Sequence, residues 1–138
     1  MTALRELMAH DPVALPGSTT LRQAAQRMRD RDIGAVLVLD GDEVVGIATD
    51  RDIVVRGVAD HDDVAAVRVD EVCTRLLITA GPDDDVDTAV TRMREAAVRR
   101  IAVLEDGRPV GVFSLGDAAL EQDPGSALAD ISAAPADS

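Results

Sequence analysis

Gly46-Ile47-Ala48-Thr49-Asp50-Arg51-Asp52 is answered 65 residues on (111 − 46) by Gly111-Val112-Phe113-Ser114-Leu115-Gly116-Asp117. Both stretches run glycine, aliphatic residue, any residue, hydroxyl residue, two further residues, aspartate. Working outward, the same offset lays Ala24 on Ala89, Arg27 on Arg92, Met28 on Met93 and Val38-Leu39 on Val103-Leu104. The register needs no gap from Leu4/Val69 to Ile53/Ala118. An internal repeat of this length makes the chain one supersecondary unit written twice.

Each copy reads alike. A short helical turn (Leu4–Met8; Val69–Cys73) precedes a brief extended stretch (Val13–Leu15; Ile78–Ala80). An amphipathic helix follows, its apolar stripe predicted as Leu21, Ala24, Ala25 and Met28, then Val86, Ala89, Val90 and Met93. Thr19 or Thr20 suits the cap of the first helix, and Asp84 or Asp85 the cap of the second. Two strands then form a hairpin, Ala35–Leu39 with Val44–Ala48 and Ile101–Leu104 with Val110–Phe113, turning at Asp40-Gly41-Asp42 and Glu105-Asp106-Gly107. Closing helices are predicted over Asp50–Arg56 and Leu115–Gln122. The fold class is α/β in the wider sense (α+β), with β-α-β-β-α in tandem. Repeat 1 spans residues 1–60, a linker 61–68, repeat 2 residues 69–122, and a tail 123–138 is expected to be mobile.

Composition narrows the functions. Among 138 residues, 26 are acidic and 14 basic, giving a net charge of −12, and every basic residue is arginine. Such a surface repels nucleic acid phosphates and anionic headgroups, which argues against nucleic acid and membrane partners. The opening Met1–Glu6 becomes charged at once and no apolar run approaches a membrane span, so a cytoplasmic protein is expected. Phe113 is the only aromatic residue, so the core must be built from small aliphatic side chains, and pairing of chains would add burial. Cys73 is alone and reads as a small buried hydrophobe. His10 and His61 fall in connectors without a nucleophile or base beside them. Asp83-Asp84-Asp85 precedes a helix, where acids complement the dipole. Catalytic residues and a metal site are not expected.

The hydroxyl and acid of the repeated motif carry the chemistry. Thr49 falls at the junction of strand and helix, where its hydroxyl can cap the helix or face a ligand phosphate. Asp52 returns to that face one turn later, and a carboxylate has acceptors for both hydroxyls of a ribose diol. Ser114 and Asp117 repeat the arrangement. Ser/Thr-x-x-acid is equally the pattern of a helix capping box.

A tandem β-α-β-β-α repeat carrying Gly46–Asp52 and Gly111–Asp117 resembles the cystathionine-β-synthase-type (CBS) domain pair, or Bateman module, over about Leu4 to Leu120. Among its members it looks similar to small stand-alone bacterial pairs. The resemblance implies a pseudo-two-fold pair that binds a regulatory ligand (AMP, ADP, ATP or S-adenosylmethionine) between the repeats. It implies no resident cofactor and no enzymatic activity. The base would lie against the first strand and the strand after the long helix, around Ala14 and Val36, and around Thr79 and Ile101; Arg99 and Arg100 would neutralise phosphate. It further implies a homodimer and an effector protein, not identified by the sequence, that receives the signal in trans. The alternative is a homodimeric interaction module whose sites no longer bind nucleotide.

Overall fold

The structure, a computed structural model, describes residues 1–76 and 78–116. In chain order its elements are β1 (Ala9–His10), β2 (Ala14–Pro16), α1 (Leu21–Arg31), β3 (Ala35–Asp40), β4 (Glu43–Thr49), α2 (Asp50–Asp52), α3 (Val69–Val72), β5 (Thr74–Arg75), β6 (Thr79–Ala80), α4 (Val86–Glu95), β7 (Arg100–Glu105) and β8 (Arg108–Ser114). A π-helical stretch, Ile53–Val58, continues α2, and short 3-10 turns occupy Leu4–Glu6 and Val64–Ala66. The closing helix expected from Leu115 begins there, and the rest of it, like the tail, lies outside the described residues.

Two compact units result, and they are not cut where the sequence repeats. Among the described residues, one is 13–76 and the other joins 1–12 to 78–116. The first holds a sheet ordered β2-β3-β4-β5, the second a sheet ordered β1-β8-β7-β6. In each, a parallel strand (β2 or β6) flanks an antiparallel hairpin, and a two-residue strand (β5 or β1) closes the other edge. This is the α+β arrangement predicted.

The helices begin where local chemistry allows. Thr20 and Gln23 form a reciprocal capping box, Gln23 N–H donating to the Thr20 hydroxyl at 3.2 Å and Thr20 N–H to the Gln23 amide oxygen at 3.1 Å. Asp85 accepts from Thr88 N–H at 3.3 Å. In α1, Leu21, Ala24 and Met28 pack with Val36, Val38 and Ala48. Ala25, expected in that stripe, is exposed: only one narrow face of α1 meets the sheet. In α4 all four predicted residues are buried and pack with Ile101, Val103 and Phe113. The hairpins turn differently. Asp106 and Gly107 both have positive φ (52° and 78°), as a type I′ turn needs. In the other loop Gly41 alone does (63°), at the first central position as in type II′.

The lead-in of each repeat docks on the body of the other. Leu4 N–H donates to Asp84 O (2.9 Å), Arg5 N–H to Pro82 O (2.9 Å), and Val86 N–H to Thr2 O (2.8 Å). The counterparts, each 65 residues away, are Val69 N–H to Thr19 O (2.7 Å), Asp70 N–H to Gly17 O (3.1 Å) and Leu21 N–H to Val67 O (3.1 Å). Leu4 and Val69, both fully buried, fill the matching places in the two cores. Arg5 adds a surface ion pair with Asp83 at 2.7 Å, whose hydrogen bond and charge raise the guanidinium pKa further.

Candidate functional site

Each part of the repeated motif has a separate physical task. The glycine comes first. A Cβ on Gly46 would stand 2.9 Å from Cys73 Sγ and 2.9 Å from Thr74 O; one on Gly111 would stand 2.5 Å from Met8 Sδ and 2.9 Å from Ala9 O. Both glycines therefore exist to let an exchanged lead-in cross β4 or β8. Cys73, expected to be buried, is half-buried at this crossing. Burial raises its thiol pKa, with the Asp70 and Asp52 carboxylates adding to the effect against the opposing charge of Arg75.

The hydroxyl and acid come next. Thr49 is the N-cap of α2: its hydroxyl accepts from Asp52 N–H at 3.1 Å, and its own N–H donates to Asp52 Oδ2 at 3.0 Å. The pair forms a half-buried reciprocal capping box, in which aspartate stands where glutamate or glutamine is usual. Asp52 Oδ1 is not drawn into that cap. Ser114 ends β8 opposite Arg100, as Thr49 ends β4 opposite Ala35. Asp117 lies outside the described residues.

Strand alternation determines which other residues share the motif's face. Thr49 lies on the face of Ala35, Leu37 and Ile47, the face away from the main hydrophobic cluster, and Ala14 pairs with Leu37 there. In the second unit Ser114 shares its face with Arg100, Ala102 and Val112, and Thr79 pairs with Ala102. Ala14, Thr79 and Arg100 thus fall beside the motif. Val36 and Ile101 do not: each is 1% exposed with its side chain in the hydrophobic core, so only their backbones can meet a ligand. Leu37 and Ala102, which lie in the strands the resemblance points to, share this face, and their strand partners Ile47 and Val112 are found two residues before Thr49 and Ser114. Arg99 and Arg100 are exposed at the start of β7, and neither guanidinium has a partner among the described residues.

The remaining candidates serve the fold. Asp83 pairs with Arg5, Asp84 accepts from Gly81 N–H at 2.8 Å, and Asp85 caps α4. His10 Nε2 lies 2.9 Å from Arg5 O, and His61 Nδ1 lies 3.1 Å from both Arg56 O and Gly57 O. A carbonyl only accepts, so those ring nitrogens carry the protons. Among the described residues no three His, Cys, Asp or Glu side chains cluster as metal ligands, and no helix is long and apolar enough to cross a membrane.

Twofold β-α-β-β architecture with the same glycine-hydroxyl motif at each hairpin exit defines a tandem CBS-type pair. The CBS domain family matches residues 4–58 and again residues 69–122, and the chain belongs to that family. It is 33% identical over 138 residues to the uncharacterised protein YlbB of Bacillus subtilis, covering 96% of this chain and 93% of that one. Hypoxic response protein 1 of Mycobacterium tuberculosis is 32% identical over 120 residues, covering 86% of this chain and 84% of its own. A crystal structure of Hypoxic Response Protein I with two coordinated zinc ions matches with a TM-score of 0.72 at 32% identity, over 86% of this chain and 97% of that one. A protein with CBS domains from Burkholderia ambifaria matches with a TM-score of 0.75 at 26% identity, over 91% of this chain and 96% of that one.

Proposed function

We propose that this chain is a cytoplasmic regulatory module that binds an adenine nucleotide at the motif-bearing face of its CBS repeats. The ligand class is AMP, ADP, ATP or S-adenosylmethionine, and the signal passes in trans to a partner protein. No reaction is involved. The observation that carries this reading is the position of Thr49 and Ser114 at equivalent strand ends, each opposite the first residue of β3 or β7. At such a strand-to-helix junction a phosphate can approach the hydroxyl-bearing strand end, and in the first unit Asp52 follows three residues on with a carboxylate suited to a ribose diol. In the first unit Asp52 serves the cap with Oδ2, which leaves Oδ1 for a sugar hydroxyl. Ala14 and Thr79, half-buried on that same face, supply small side chains against which a flat base can lie.

One observation favours a second reading, a homodimeric interaction module without a working nucleotide site. The Thr49–Asp52 box already satisfies both residues locally, while Val54, Val55 and Val58 stand 59%, 48% and 51% exposed just beyond it. Thermal unfolding with each of the four ligands separates the two. A ligand at about 100 times its dissociation constant stabilises by about 2.7 kcal/mol. Asp52→Ala costs about 1 kcal/mol of capping by itself, so its effect is read as the loss of the ligand-induced shift, not as the melting point. No shift with any ligand, together with a particle near twice 14.5 kDa in light scattering, would establish the interaction module instead.

A further inference from the structure

The two motif faces differ in charge at equivalent positions. Asp50 N–H donates to Gly34 O at 3.1 Å, and its counterpart Leu115 N–H donates to Arg99 O at 3.1 Å, so the same local joint is built twice. At the first joint stand Gly34, Ala35, Asp50 and Arg51; at the second, their counterparts Arg99, Arg100, Leu115 and Gly116. Formal charge is zero in the first set, from one carboxylate and one guanidinium, and +2 in the second, from two guanidinia. Register sharpens the contrast. Arg100 is directly opposite Ser114 in β7–β8, and residues so paired project from the same face about 5 Å apart at Cβ. Opposite Thr49 the corresponding residue is Ala35.

We infer that the two sites are sorted by ligand charge: the Ser114 site takes a phosphorylated nucleotide, and the Thr49 site an adenosine derivative without phosphate, neutral or cationic. This rests on the nucleotide-binding reading above and adds the ligand class to each site. An arginine beside the hydroxyl offers bidentate donors to phosphate oxygens. Asp50 and Asp52 repel the same anion, and a sulfonium or an uncharged ribose escapes that repulsion.

The test follows backbone amides of the full-length protein by NMR during titration with AMP, adenosine and S-adenosylmethionine. AMP should shift residues 99–102 and 114–116 at a concentration at least tenfold below that needed for residues 34–37 and 49–52. Adenosine and S-adenosylmethionine should reverse or level that order. Arg99→Ala/Arg100→Ala removes two exposed side chains with no partner among the described residues, so the protein should fold as before. It should weaken AMP at the second site at least tenfold while changing adenosine less than twofold. AMP filling both sites at one concentration, or the double variant weakening adenosine as much as AMP, would overturn the sorting while nucleotide binding stands. Silence from all three ligands would remove the binding reading and this inference with it.

Discussion

The two units share a plan but not its details. Both receive a lead-in from the opposite repeat through three matching backbone hydrogen bonds, and both set a glycine under the crossing. At the hairpin they diverge, with glycine first in one turn and Asp106-Gly107 in the other. At the motif they diverge again: Asp50 and Arg51 open α2, whereas Leu115 and Gly116 stand in the second copy. What is shared concerns how the backbone crosses and pairs; what differs concerns charge and turn chemistry at the surface. Duplication has held the scaffold while leaving the charge of the two faces free to change.

Exchange of the lead-ins makes the largest prediction. Leu4 is fully buried in the core of the second unit, with Val86, Met93 and Phe113. Leu4→Ala should cost about 3 kcal/mol, from lost burial and the cavity left behind. The loss should be local. Amide hydrogen exchange should quicken in β6–β8, some 75 residues or more along the chain, more than in β2–β4. Quickening confined to β2–β4, which follow Leu4 in sequence, would break the comparison at its root.

The glycines come second. Gly111→Ala and Gly46→Ala should each lower stability by about 2 kcal/mol through overpacking, measured by denaturant unfolding. Met8 and Cys73 can swing aside, but Ala9 O and Thr74 O belong to backbone and cannot. Met8→Ala should therefore fail to rescue Gly111→Ala. A near-zero cost at either position would show that the crossing is looser in that unit and that the motif glycine serves something else.

Much of this was legible in the sequence because the repeat supplies its own alignment. Hairpin turns and the helical stripes, Ala25 excepted, follow from local chemistry that each copy states independently. The sequence narrows the caps only to Thr19 or Thr20 and Asp84 or Asp85, of which the fold uses Thr20 and Asp85. β1 and β5 were not legible: two-residue strands carry no periodicity, and they form only because a crossing segment lies against β8 or β4. Nor was the exchange itself, since an offset of 65 is compatible with each lead-in serving its own repeat or the other one. At the site, motif positions were visible, but the face was not assigned. The resemblance points to Val36 and Ile101 without assigning their faces, and alternation sends both side chains into the core, one position from Leu37 and Ala102 on the motif's face.

The smallest effect concerns the ends of the two long helices. Asp32 after α1 and Ala97 after α4 are equivalent by the same offset, and both take a left-handed backbone, with φ of 52° and 56°. Aspartate tolerates that conformation because its short polar side chain can bond locally; alanine has a Cβ that crowds the carbonyl and nothing to offset it. Ala97→Gly should remove the crowding at the cost of a more flexible unfolded chain, for a net gain of about 0.5 kcal/mol. Asp32→Gly should give less, because less strain is there to relieve. A gain at Asp32 equal to that at Ala97, measured in matched denaturant curves, would mean that the aspartate side chain brings no local relief and that the two helix ends differ in sequence alone.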